Sequence, residues 1–292
     1  MGKNKGKNRN SFNNSATKNK KTAAPKNQPL VSLPIHALAS REIFLNESVS
    51  EKSAHSVILQ LQALARQNKE PITIWLNSPG GTVYDGLAIF DTMRDLMRQG
   101  IIIKTKAFGT AASMASFLLS AGTPGHRTML LSARDMTHQP SGGGRANEDG
   151  LQYHSKSLSH VRHRMESHYA HFMGLDYNDK KTRVLLKQYM SPDVYLNAYT
   201  AKRLGLIDNI SLLGADGKPD KSIKDEFLKR SVEIDIALNK REYDHIDTSR
   251  YSVDPARHVK RLIKHRDKVL GNAKSDNKHS AQSEFSLYEP DL

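Results

Sequence analysis

Ser113 is the residue in this chain best placed to act as a nucleophile. It stands in Phe108-Gly-Thr-Ala-Ala-Ser113-Met-Ala-Ser-Phe-Leu-Leu, between small residues that let the backbone turn sharply and let a second backbone approach. The apolar run from Ser116 predicts a buried helix that starts just after the serine. The positive end of its dipole would favour developing negative charge. His138 closes a second apolar run, Thr128 to Thr137, just before a glycine-rich segment. A serine hydroxyl is too weak an acid to attack a carbonyl unaided, so acyl transfer requires a base such as this histidine. Asn77-Ser-Pro-Gly-Gly81 supplies a third part. It closes the apolar run Ile72 to Leu76, and two glycines after a strand end leave backbone N–H groups uncovered for an oxyanion. A carboxylate must still orient the imidazole, and Asp135, Asp193 and Asp208 each qualify by residue type. Gly142 and Gly143, in the triplet after His138, fit an extended edge on which a peptide could pair through its backbone.

Those residues need elements to position them. From Ala39 the chain alternates strand and helix. Arg41 to Leu45 predicts a short strand, and Glu47 to Gln67 an amphipathic helix with Ala54, Ile58, Leu61 and Leu64 on one face and a polar start at Ser50, Glu51 and Ser53. Ile72 to Leu76 is the next strand, Val83 to Arg98 the next helix, Ile101 to Ile103 a third strand and Thr128 to Thr137 another. This alternation predicts an α/β fold with a parallel sheet, whose sites lie at the carboxyl ends of the strands. Asn147 to Met173 predicts a long polar helix carrying His154, His160, His163, His168 and His171. Those histidines are spread along it, so a solvated or helix-pairing surface is expected and no metal. Lys180 to Tyr189 and Asn197 to Leu204 predict two shorter helices.

The chain has 292 residues, a net charge of +14 and no cysteine, which removes disulfides, thiolate catalysis and cysteine-ligated metal. No stretch is apolar enough to cross a membrane and no hydrophobic signal core precedes the domain, so a soluble, cytoplasmic protein is expected. Residues 1–30 hold eight basic residues and no acidic one, which predicts a disordered tail able to touch nucleic acid phosphates weakly. Residues 31–213 form the expected folded domain. Residues 214–292 form an extension. Within it Val232 to Ile236 alternates like a strand. A helix begins at Asp254-Pro255 with Val259, Leu262, Ile263, Val269 and Leu270 as its stripe, Gly271 as its stop, and docking as its expected use; the last twenty residues predict disorder.

Taken together, NSPGG, GTAASMAS, THQPSGGG and Asp193-Val-Tyr-Leu-Asn-Ala…Gly205-Leu-Ile-Asp208 resemble the proteolytic subunit of Clp protease (ClpP), over roughly Leu38 to Ile210. The resemblance implies repeated β-β-α units of the ClpP/crotonase spiral type with a protruding handle helix. It implies a serine endopeptidase with Ser113, His138 and Asp193 as triad, Asp208 as a structural aspartate, and the N–H groups of Gly81 and Met114 as oxyanion donors. No cofactor is implied. Protein or peptide substrates, a homo-oligomeric heptameric ring, single or double, and an AAA+ Clp-type ATPase partner are implied. The handle helix would interlock rings, and histidine protonation there would make pairing sensitive to pH. The chain departs from the family in Asn197, where Ser or Thr is usual, in Pro192, where arginine is usual, in the connection around Arg98 to Ile102, and in lacking the axial-loop sequence. Both tails are foreign to the common bacterial enzyme, a divergence that fits a phage- or plasmid-encoded relative, such as a head-maturation type working without an ATPase. Two other readings carry different chemistry: a crotonase-fold acyl-CoA enzyme, and a basic nucleic-acid-associated binding protein.

Overall fold

The computed structural model describes residues 39–142, 147–191, 193–211 and 255–276, with side chains of the last stretch described over 257–271. The 1–30 tail, both predicted domain limits, the Val232 to Ile236 strand, the Asp254 cap, the last residues from 277 and Gly143 lie outside the described residues. In chain order the elements are β1 (Glu42–Leu45), α1 (Glu51–Gln67), β2 (Ile72–Ser78), α2 (Val83–Arg98), β3 (Ile103–Ala112), α3 (Met114–Ser120), β4 (Arg127–Leu130), β5 (Arg134–Thr137), α4 (Glu148–Phe172), α5 (Lys180–Met190), β6 (Val194–Leu196), α6 (Ala198–Leu204), β7 (Asn209–Ser211) and α7 (Pro255–Asp276).

Helix bounds follow local chemistry. α1 starts at Glu51, later than the predicted Glu47, because Ser50 and Ser53 form a reciprocal capping box. The Asn147 and Asp179 side chains cap α4 and α5. Asn197 accepts from the Thr200 N–H at 2.9 Å and so caps α6, the task a Ser or Thr would perform there. Gly205, at φ 77°, turns the chain out of α6 in the left-handed conformation.

The sheet is mostly parallel, in the order β1-β2-β3-β4-β7. Alternate residues of β2 are buried, and Ile43, Leu45, Ile72, Ile74, Leu76 and Ile103 form the face beneath α1 and α2. On the other face Phe44 stacks on Trp75 with centroids 6.0 Å apart, and the Lys106 ammonium lies 4.7 Å from the Trp75 ring centre.

β3 corrects the predicted strand at Ile101 to Ile103. It runs ten residues, up to the serine turn, and changes neighbour midway. Thr105 to Ala107 pairs with β4, whereas Thr110 to Ala112 pairs with β5. The predicted single strand Thr128 to Thr137 is therefore two strands. A turn at 131–133, closed by the Ala133 N–H to the Leu130 carbonyl, moves the chain from one half of β3 to the other.

Asp208 ties the end of the domain to this sheet. Its carboxylate grips Arg127 through Nη2 at 2.6 Å and Nε at 2.9 Å, and also accepts the Gly125 and Arg127 N–H groups. Partial burial works against the charge, but the Arg127 hydrogen bonds and charge outweigh it and hold the carboxyl below its ordinary range. Asp208→Ala is expected to cost about 3 kcal/mol at pH 7, because it strands a guanidinium whose side chain is 8% exposed. The loss should shrink as pH falls below about 4, the unfolded-chain value, toward the lower pH at which the folded carboxylate protonates; urea titrations at pH 7 and 3 check it.

α7 docks on the core, as expected, through Val259, Leu262 and Ile263. Arg266 donates to the carbonyls of Met173 at 2.7 Å and Arg203 at 3.0 Å, which satisfies orphan acceptors at the ends of α4 and α6. Gly271 does not end α7, which runs on to Asp276; a glycine on an exposed helical face costs only about 1 kcal/mol. Val269 and Leu270 are not buried, so the stripe is shorter than predicted.

Candidate active site

Three strand ends converge because β3 branches. Ser113 follows β3 directly, and its N–H donates to the Met136 carbonyl of β5 at 2.7 Å. His138 follows β5. β6 pairs antiparallel with β5 in the register Thr137 to Val194, so the next residues out, His138 and Asp193, stand opposite one another. His138 Nε2 lies 2.8 Å from Ser113 Oγ, and His138 Nδ1 lies 3.0 Å from Asp193 Oδ1. With the proton on Nδ1, the ring donates to the carboxylate and accepts from the serine hydroxyl. Of the three candidate carboxylates, Asp193 is the one that reaches the imidazole. Asp208 is held by Arg127, and Asp135 is buried.

Ser113 itself sits at φ 55°, a conformation that a residue with a side chain adopts at a cost of about 1–3 kcal/mol. The turn is forced by its surroundings: β3 must end where α3 begins, with Met114 as the first helical residue. The Met114 N–H therefore has no intrahelical acceptor. It faces the same turn as the glycine pair. A Cβ on Gly80 would fall 2.5 Å from the Ala112 carbonyl oxygen and 2.9 Å from the Met114 nitrogen, so the two loops touch. Gly81 bridges to Val49. The bridge uses the Val49 N–H to the Gly80 carbonyl and the Thr82 N–H to the Val49 carbonyl, and leaves the Gly81 N–H outside it.

Two residues of the Asn77-Ser-Pro-Gly-Gly81 stretch hold this loop, a role the sequence reading did not assign to them. Asn77 Oδ1 accepts the Thr110 N–H at 3.0 Å across the register shift between β2 and β3, and the Ser78 hydroxyl accepts the Gly80 N–H at 3.1 Å. Their signal was a polar pair at the end of an apolar strand, next to the glycines.

A buried polar cluster beneath the serine and histidine was also not foreseen. Ser116 Oγ lies 3.1 Å from Thr137 Oγ1 and 3.3 Å from the Tyr169 hydroxyl. Asp135 is 0% exposed, and neither of its carboxyl oxygens has a hydrogen-bond partner among the described residues. Burial pushes its pKa up to about 7; the nearby Ser116 hydroxyl tempers the rise without completing a bond. Burial, then the Asp135 charge, likewise raises the Tyr189 phenol.

The α4 histidines divide. The first half of the helix is mostly exposed, as expected of a solvated or helix-pairing surface. His168 is a correction: it packs against Phe90 and Phe117, with centroids 4.9 and 5.7 Å away, and burial lowers its pKa to about 4. It stays neutral across the range in which a histidine switch on ring pairing would work. Gly142 is exposed and a Cβ there would meet nothing within 4 Å. No described helix is long and apolar enough to cross a membrane.

Comparison with known proteins matches the sequence to a family. The model of the family described as Clp protease matches residues 27–212. A curated relative, the ATP-dependent Clp protease proteolytic subunit 1 of Prochlorococcus marinus (strain MIT 9312), is 37% identical over 185 residues, which is 63% of this chain and 88% of the relative. α7 lies beyond the matched part. A match of this extent, on a mixed α/β fold with a parallel sheet, makes the chain a member of the Clp protease family and a serine-type peptidase.

Proposed function

We propose that the chain is an endopeptidase whose triad is Ser113, His138 and Asp193, with the N–H groups of Gly81 and Met114 as oxyanion donors. The observation that carries this is the continuous relay Ser113 Oγ to His138 Nε2 at 2.8 Å and His138 Nδ1 to Asp193 Oδ1 at 3.0 Å. In the first step His138 Nε2 takes the hydroxyl proton while Ser113 Oγ attacks the peptide carbonyl. The carbonyl oxygen becomes an oxyanion between the main-chain N–H groups of Met114, at the start of α3, and Gly81, in the loop after β2. Asp193 holds the imidazole in the tautomer that accepts this proton and steadies the imidazolium. His138 then protonates the leaving amine, and a water repeats the sequence on the acyl-enzyme. Gly142 and Gly143 would offer backbone to the substrate. An acyl-CoA reading leaves this relay without a use.

The chain is further proposed to close into homo-oligomeric rings, heptameric by analogy with the family, with α4 as the pairing element. Exposed apolar Leu151 and Tyr153, 52% and 71% accessible, support a covered role for its first half. The name of the relative, an ATP-dependent subunit, makes a Clp-type ATPase the proposed partner for folded substrates. A cytoplasmic location and a weak phosphate contact through residues 1–30 remain parts of this proposal.

Hydrolysis of a fluorogenic peptide, with negative-stain imaging of the same preparation, tests it. Turnover by ring-shaped particles is expected; particles that fail to cleave any of a panel of peptides would refute the peptidase reading. Gly81→Val is expected to lower kcat/KM by about 10²-fold or more, since even its Cβ would fall 2.0 Å from the Val49 carbonyl oxygen and displace the donor loop. The measurement is the same peptide assay, with circular dichroism as a folding control.

A further inference from the structure

The groove between α5 and α7 has a volume of about 790 Å³ and is lined by five cationic side chains: Lys180, Lys181, Arg261, Lys264 and Lys268. One carboxylate, Asp179, shares the lining, but it is already engaged. It caps α5 through the Lys181 and Thr182 N–H groups and lies 3.3 Å from His265 Nε2. None of the four lysines forms an ion pair among the described residues. Lys180 and Lys181 also stand in the first turn of α5, where the helix dipole is already positive; that turn holds no acidic residue, and the Asp179 cap sets one carboxylate against the two lysines. Cations gathered in this way repel one another, and an anionic occupant relieves that repulsion.

The walls narrow the choice of anion. Val184, 46% exposed, and Leu185 give the groove an apolar side, which suits an aliphatic or aromatic side chain. No Phe, Tyr or Trp lines it, and the one imidazole, His265, is buried against Thr182 and Asp179, so bases would lack a stacking platform. The occupant that fits is a peptide with both carboxylates and apolar side chains. The chain contains one: Glu284-Phe-Ser-Leu-Tyr-Glu-Pro-Asp291 carries three carboxylates and no cation, with Phe285, Leu287 and Tyr288 among them. α7 is described to Asp276, and the seven residues from Asn277 to Ser283 can span about 25 Å when extended. At 1.5 Å per helical residue, Lys268 and Lys264 lie about 12 and 18 Å back along α7, within that reach.

We propose that this groove binds residues 284–291 of the same chain, their carboxylates meeting the groove lysines and an apolar side chain covering Val184. The inference stands apart from the peptidase chemistry, and its test reads no activity. Full-length protein is treated with a zero-length carbodiimide cross-linker, which joins a carboxylate to an amine in contact with it, and the links are mapped by mass spectrometry. Links from Glu284, Glu289 or Asp291 to Lys180, Lys181, Lys264 or Lys268 are expected. They should fall at least tenfold in 1 M salt, and those to Lys180 and Lys181 should fall as far in the Lys264→Glu/Lys268→Glu variant. Adding Glu289→Lys and Asp291→Lys to that variant should restore them in the opposite sense. A Lys264→Gln/Lys268→Gln variant, which adds no repulsion, serves if the reversed one does not fold. Groove lysines that stay unlinked, or that link to other carboxylates, overturn the proposal. So do links that join isotopically heavy to light copies, which would place a neighbouring molecule in the groove.

Discussion

Ser113→Ala is expected to fold normally and to lose about 10⁴- to 10⁶-fold in kcat on a small peptide, the range in which a triad acting as a unit fails. His138→Ala should fall about as far, and combining the two should add little, because each removes the same proton-transfer step. Asp193→Ala should lose less, about 10²- to 10⁴-fold, because its side chain is 48% exposed and water can take part of its place beside the imidazole. A second Ser113 variant separates chemistry from backbone strain. Ser113→Gly should be as inactive as Ser113→Ala yet more stable by about 1 kcal/mol, since glycine accepts the φ of 55° without the penalty of a Cβ. Steady-state kinetics and urea unfolding measure both quantities. Equal stability of the two variants would remove the strain argument and leave the mechanism standing.

Asp135→Asn is expected to flatten the pH dependence of stability. A carboxyl that titrates at 3.8 in the unfolded chain and about 7 in the fold binds more protons when folded. Stability is then fully present below about pH 4 and declines as pH rises toward 7, by about 4 kcal/mol in all. Of the groups around it, Ser116 alone tempers the rise, and none carries a positive charge to offset burial. Ser116 of α3, Thr137 of β5, Tyr169 of α4 and Tyr189 of α5 bring hydroxyls and no cation. The difference between wild type and variant, measured by urea unfolding, should widen between pH 4 and 7. Parallel profiles would show that the carboxyl finds a partner in the assembled protein. Asp135→Val, which suits a buried strand position, should raise stability further, because it also removes the unpaired polar oxygens.

Much of the site was legible because its parts are local. The Val83 to Arg98 helix has the predicted bounds, and the serine turn, the glycine pair and the histidine each sit at the end of an element whose period was clear. The carboxylate was a different matter. Residue type left Asp135, Asp193 and Asp208 equal; the family resemblance implied Asp193, and it is the β5–β6 register, a non-local pairing, that sets this residue opposite His138. β6 and β7 have three residues each, too few to show a period of two. The division of Thr128 to Thr137 into two strands depends on which half of β3 each one meets, and nothing within those ten residues states it. Asp135 lay within an apolar run, but its complete burial depends on α3, α4 and α5 closing over it from distant parts of the chain.

Labelling with a fluorophosphonate, followed by peptide mapping, tests the central claim most directly. The probe bonds only to a serine whose hydroxyl is activated by a base and whose phosphonyl oxygen finds donors. A single adduct on Ser113 is predicted, formed by the wild type and lost in His138→Ala. An adduct on a different serine, or an unmodified Ser113 in protein that still cleaves peptides, would contradict it.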